Sequence, residues 1–175
     1  MFESKDILAI VLSYAIGCIS TGFYLVRLWT GTDIRKFGSG ATGARNVARL
    51  LGRSGFLITF FWDFAKGLIA VWTASMLTKQ HWVITASLLA VVIGHIWPAQ
   101  LGFRGGKGIA TALGGGLFFD WHGCSVVDVA GVAIMAIVIL FAHRANLTAL
   151  FRRKRIEGVA IGQIATGDNK NDSNA

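Results

Sequence analysis

The sequence predicts an all-α protein: a polytopic transmembrane helix bundle of about five spans, joined by glycine-rich cytoplasmic loops. Three observations predict it. Of 175 residues, 54% are hydrophobic and only 15% charged, with a mean hydropathy of +0.58; soluble domains carry roughly a quarter charged residues. Several apolar runs reach or approach the ~20 residues that cross a bilayer. The basic residues gather between those runs, beside clusters of glycine.

The first run is Ile7–Val26. Its flank, Met1 to Asp6, lacks the basic region of a secretory leader, so it is expected to be a retained span. The second, Phe56–Leu77, carries Asp63 and Lys66, which are three apart and share a helix face. Ionisable groups at that depth face the bundle interior, and an ion pair is expected. The third, Val83–Leu101, contains His95 and Pro98, and the proline is expected to kink its end. The fourth, Ile109–Trp121, is short enough to be re-entrant. The fifth, Val126–Ala142, has Asp128 near its start, which leaves Val129–Ala142 as its uninterrupted apolar part.

Residues 1–157 read as one membrane domain, and 158–175 as a polar C-terminal tail that buries too little apolar surface to order itself. Cys18 and Cys124 are in no paired motif and are expected to be free thiols.

The net charge of +8 would point to nucleic acid in a soluble protein. Here the cations flank apolar spans, so orientation and anionic substrates explain them, and no nucleic-acid partner is expected. Arg27, Arg35, Lys36, Arg45, Arg49 and Arg53 follow the first span; Arg104 and Lys107 follow the third; Arg144 and Arg152 to Arg155 follow the fifth. The positive-inside rule then puts the N-terminus outside and the C-terminus in the cytoplasm, with Ser125 on the outer side. No His, Cys, Asp or Glu cluster has metal-ligand spacing, so neither a metal nor a cofactor is expected. No nucleophile elbow or His-Asp acyltransferase pair is present either.

The first loop reads Gly38-Ser39-Gly40-Ala41-Thr42-Gly43-Ala44-Arg45-Asn46-Val47-Ala48-Arg49. Its glycines permit a close backbone turn whose N–H groups cradle an anion. Arg45 and Arg49, four apart, would share a helix face and clamp a phosphate. A flexible linker with orienting arginines is the competing reading. The second loop, Gly102-Phe103-Arg104-Gly105-Gly106-Lys107-Gly108, leads into Ile109-Ala110-Thr111. Its spacing is not that of a P-loop, because Leu101 stands where the first glycine is needed. Its content is nevertheless glycine, an ammonium and a helix N-terminus; a plain turn at the membrane interface is the alternative. His95 is either a substrate contact or a structural histidine. His143, Arg144 and Asn146 close the last span at the level of the loops.

Taken together, these residues resemble the bacterial acyl-phosphate:glycerol-3-phosphate acyltransferases, integral membrane enzymes that make lysophosphatidic acid. Asp33-Ile34-Arg35 with Gly38 to Arg49 resembles the family's first motif, and Asp63 with Lys66-Gly67 its second. Gly94-His95, Pro98, Phe103 and Gly105 to Gly108 with Ala110-Thr111 resemble the third, and His143-Arg144-Ala145-Asn146-Leu147 the C-terminal HRxNI. The resemblance implies a catalytic set of Ser39, Arg49, Lys107, Asn146 and His95. Asn46, Lys66 and His143 would support it. Gly38, Gly40, Gly43, Arg45, Gly105, Gly106, Gly108 and Thr111 would complete the phosphate-binding surface. A substrate phosphate would assist loss of the hydroxyl proton, which accounts for the missing enzymic base.

The chain departs from the family at Ala41, where Asn is usual, and at Arg45, where Thr is common. It is also about two helices short: Thr111 and His143 are only 32 apart. The expected activity is acyl transfer from acyl-phosphate to glycerol 3-phosphate, giving lysophosphatidic acid for phospholipid synthesis at the bacterial inner membrane. The enzyme that makes acyl-phosphate is a candidate partner. The alternatives are a shortened, non-catalytic relative that binds phosphate compounds or a partner, and a small anion transporter.

Overall fold

Within a bilayer each apolar segment must satisfy its own backbone hydrogen bonds, which selects helices. The structure, a computed structural model, describes residues 3–119 and 125–144, and every regular element among them is helical. The chain divides into two units, Met1–Ala142 and His143–Ala175. Of the second, only His143 and Arg144 are described, both helical. Cys124, Asn146, Arg152 to Arg155 and the polar tail lie outside the described residues; Cys18 is a free, buried thiol.

The expected first span, Ile7–Val26, lies within Ser4–Thr30, which is two helices rather than one, α1 (Ser4–Cys18) and α2 (Thr21–Thr30). The chain leaves helical geometry at Ile19 (ψ 102°) and Ser20 (ψ 86°). A break in an apolar span frees carbonyl groups that lipid cannot satisfy. Two later side chains take them up. Lys66 Nζ donates to the Ile19 carbonyl at 2.7 Å, and the Gln100 side-chain amide donates to that of Cys18.

The next helix, α3 (Ala44–Leu77), begins well before the expected span and carries Arg45, Asn46 and Arg49 in its first turns. It bends at Gly52, whose φ of 65° and ψ of −155° fall in a region essentially confined to glycine. Helix α4 (His81–Ile96) stops at Ile96 instead of bending through Pro98. Proline disfavours α geometry in the residue before it, and Trp97 has φ −124° and ψ 67°. Pro98 therefore ends the helix, and a short 3-10 turn, Ala99–Leu101, follows.

Helix α5 (Ile109–Phe118) has ten residues, about 15 Å of rise, or half a hydrocarbon core. It packs on α3 through glycine. A methyl group added at Gly114 would lie 1.9 Å from the Phe64 carbonyl oxygen, and one at Gly67 would lie 2.0 Å from that of Thr111. Such close crossings of small residues hold membrane helices together. Helix α6 (Val126–Arg144) packs Met135, Val138, Ile139 and Ala142 against a core that includes Val91, Val92 and Ile96.

Asp128 is buried at the start of α6, where it caps the helix. Its Oδ2 accepts from the Ser125 backbone and hydroxyl at 2.8 Å each, and its Oδ1 accepts from Thr85 near the start of α4. Gln80 reaches across to Asp6 in α1 at 3.0 Å. One end of the first unit thus holds the starts of α1, α4 and α6, and the other holds the α2–α3 and α4–α5 loops.

Candidate active site

Both glycine-rich loops are built by backbone bonds that side chains lock in place. In the first, Asp33 opens a 3-10 turn (Ile34–Lys36), accepting from Arg35 N at 2.9 Å. Asn46, buried in the first turn of α3, organises the rest. Its amide donates to the carbonyls of Ile34, Phe37 and Ala41 at 3.3, 3.0 and 2.9 Å. Its Oδ1 accepts from Ser39 N at 3.1 Å and from Arg49 Nη1 at 3.3 Å. Gly38 has φ +56°, and a methyl there would meet Asn46 Oδ1 and Arg49 Nη1 at 2.2 and 2.3 Å. The Arg49 guanidinium therefore rests on the turn, with the exposed Ser39 next in sequence.

The second loop folds back onto the end of α4. Gly105 N and Gly106 N donate to the carbonyls of Ile96 and His95 at 3.0 Å each, satisfying groups that a helix end leaves free. A methyl at Gly106 would sit 2.0 Å from His95 Nε2. The imidazole is thus covered by backbone where only glycine fits. Gly108, with φ 84°, turns the chain into α5, and Thr111 is fully buried in its first turn.

Thr42 joins the two loops. Its N–H donates to the Gly105 carbonyl at 3.2 Å, and its hydroxyl accepts from Ser20, at the break in the first span, at 2.8 Å. Lys107 consequently shares the field of Arg45 and Arg49. Burial first, then these two guanidinium groups, hold its ammonium below the usual lysine value. Three cations and the starts of α3 and α5 converge, an arrangement that favours an anion through both charge and helix dipole. Beneath them, Lys66 Nζ pairs with Asp63 Oδ1 at 2.9 Å, and His95 Nδ1 lies 3.7 Å from the same oxygen.

Of the residues expected from sequence, Gly38, Ser39, Gly40, Gly43, Arg45, Asn46, Arg49, Gly105, Gly106, Lys107 and Gly108 lie on the two joined loops and the helix starts beside them. Several of the N–H groups read as an anion cradle are engaged within the protein: Ser39 to Asn46, Gly40 to Phe37, and Gly105 and Gly106 to α4. Lys66 bonds Ile19 and Asp63 in the interior. His143 lies in the last turn of α6, in the second unit, and Asn146 lies outside the described residues. Sequence reading passed over Gln100 and Ser20. The signal available for them was Gly17-Cys18-Ile19-Ser20-Thr21-Gly22, two glycines and two hydroxyls in mid-span. An apolar groove of about 470 Å³ runs between α5 and α6, lined by Ile109, Ala112, Leu113, Leu117, Met135 and Ile139. It begins two residues beyond Lys107.

Fold and site define a class: an integral membrane helix bundle with a cationic pair of glycine-rich loops at one end of its first unit. Residues 7–151 match the family model described as glycerol-3-phosphate acyltransferase, and the chain belongs to that family. It is 37% identical over 185 residues to glycerol-3-phosphate acyltransferase 1 of Desulfitobacterium hafniense (strain Y51), covering 85% of this chain and 92% of that protein. It is 48% identical over 115 residues to a glycerol-3-phosphate acyltransferase of Synechococcus sp. (strain JA-2-3B'a(2-13)), covering 66% of this chain but 57% of that protein. Among solved structures it resembles PlsY, an integral membrane glycerol 3-phosphate acyltransferase, in its glycerol 3-phosphate form. The TM-score is 0.74 at 30% identity, covering 84% of this chain and 92% of that one.

Proposed function

We propose that the chain is an acyltransferase of phospholipid synthesis that moves an acyl group from acyl-phosphate to glycerol 3-phosphate. Its family and the names of its relatives support the acceptor and the reaction class. One observation carries the donor: Lys107 lies in the field of Arg45 and Arg49, two residues before Ile109, which lines an apolar groove between α5 and α6. That pairing of cation and groove suits an amphiphile whose phosphate meets the cations while its chain lies along α5.

In the reaction the acceptor's hydroxyl oxygen bonds to the acyl carbon. The bond from that carbon to the phosphate oxygen breaks, and the hydroxyl proton passes to a phosphate oxygen. Arg49 and Lys107 stabilise charge developing on the leaving phosphate, and the fixed loops position the two substrates. Ser39, exposed on the first loop, contributes a further substrate contact; His95, Asn46 and Lys66 hold the loops and the site floor. The cation-rich loop end faces the cytoplasm of the bacterial inner membrane, because Arg27, Arg35, Lys36, Arg45, Arg49, Arg104 and Lys107 flank it. The enzyme that makes the donor is the natural partner at that face.

Purified protein given acyl-phosphate and glycerol 3-phosphate should form lysophosphatidic acid and phosphate. Lys107→Ala should lower turnover at least 100-fold while still inserting in membranes. Full activity in that variant would remove Lys107 from the site. A second reading, a shortened relative without turnover, draws on the alignment with the Desulfitobacterium protein, which runs over 185 positions while taking in 85% of this 175-residue chain. That reading requires phosphate binding with no product formed.

A further inference from the structure

We propose that Arg35 is a positioning residue that sets the distance between the two anion-binding loops, through a geometry that lysine cannot reproduce. The inference rests on the reading that Arg49 and Lys107 bind substrate phosphate from opposite loops.

Arg35 touches three elements at once. Asp33 grips it as a fork, with Nε 3.0 Å from Oδ1 and Nη2 2.7 Å from Oδ2. The remaining arm, Nη1, donates to the Leu101 carbonyl at 2.7 Å, at the start of the second loop. The guanidinium lies over the Phe23 ring of α2, 4.9 Å from its centre. A planar group with five donors can do all of this in one rotamer, whereas an ammonium can neither fork nor stack in the same way. The pairing also holds the Asp33 carboxyl down to about 2.

The position of this bond matters more than its strength. The loops are tied at Arg35–Leu101 and again at Thr42–Gly105, so the two ties bracket Ser39 on one side and Arg104 on the other. With one tie gone, the other becomes a hinge. The turn that Arg35 holds is also strained: after Gly102 (φ 61°) comes Phe103, a bulky residue with φ 60°, a conformation that persists only where its surroundings enforce it. Lys107 is four residues further on. Released at Leu101, the second loop keeps its bonds to Pro98 and to the end of α4, but its spacing from the first loop, and with it the distance from Lys107 to Arg49, rests on Thr42–Gly105 alone.

The test uses the full-length protein in lipid nanodiscs and inorganic phosphate as probe. Calorimetry gives the phosphate Kd, and turnover gives KM for glycerol 3-phosphate. Arg35→Lys and Arg35→Ala are expected to raise both by tenfold or more, with the thermal midpoint of Arg35→Lys within a few degrees of wild type. Asp33→Asn should have a smaller effect, and adding it to Arg35→Ala should cost nothing further, since the two act as one unit. Wild-type Kd and KM in Arg35→Lys would overturn the proposal. So would losses confined to the amount of folded protein, with Kd unchanged in what remains. If wild type binds no phosphate, the substrate reading and this inference fall together; if every protein binds it equally, only this inference falls.

Discussion

Asn46 shows how a single side chain can build a loop. An amide offers two donors and one carbonyl acceptor, and here they serve three backbone carbonyls, the Ser39 N–H and Arg49. Asn46→Ala leaves those groups unpaired in a half-buried turn, and the expected loss is about 2–3 kcal/mol. Chemical denaturation of the detergent-solubilised protein checks the figure, and the loop between Gly38 and Gly43 should become sensitive to protease before the bundle does. Lys107 makes a different kind of prediction. Its folded-state value is lowered, so its ammonium is fully charged only below that value and is lost as pH rises through it. Phosphate affinity should therefore fall at a lower pH than an ordinary lysine dictates. Lys107→Arg, charged throughout, should remove that alkaline limb from a binding profile measured across pH 7 to 11.

Among the helices, α5 depends most on having no side chains at its crossing. Gly114→Ala would drive a methyl into the Phe64 carbonyl, a backbone atom that cannot turn aside. The expected cost is about 1–3 kcal/mol, through forced separation of α3 and α5. Because α5 begins beside Lys107, turnover should fall as well. Gly116→Ala, where an added methyl would meet nothing within 4 Å, should leave the midpoint of unfolding within about half a kcal/mol of wild type. Element positions were largely legible in the sequence, because runs of apolar residues report bilayer crossings directly. Their ends were not. The start of α3 at Ala44 lies in a polar, glycine-flanked stretch that hydropathy alone assigns to a loop. Pro98 announces a disruption, but whether a helix bends or stops depends on what receives its last carbonyls; here Gly105 and Gly106 do.

At the scale of the molecule, the site was legible as chemistry and illegible as geometry. Glycine, serine and arginine in the first loop, and glycine and lysine in the second, predict an anion site. That Thr42 and Arg35 fasten one loop to the other follows from contacts between residues 63 and 66 positions apart, for which no spacing rule exists. Asp63 and Lys66 were readable as a pair from their separation of three. The second role of Lys66, at the Ile19 carbonyl, could be read only once the first span was known to be broken.

That break also bears on how the chain assembles. Residues enter the membrane in order, and α1 and α2 come first, yet the groups that satisfy the carbonyls of Cys18 and Ile19 are Gln100 and Lys66. Until those side chains emerge, the middle of the first span has polar backbone with no partner, and a continuous helix is its best alternative. The bent form is therefore a late state, reached only when α3 has crossed and the turn after α4 has formed. Ser20, at the same break, donates to the Thr42 hydroxyl, so one of the two ties between the loops is steadied by that bend. The proposed anion site thus gains one of its supports late, when the bend in the first span has formed.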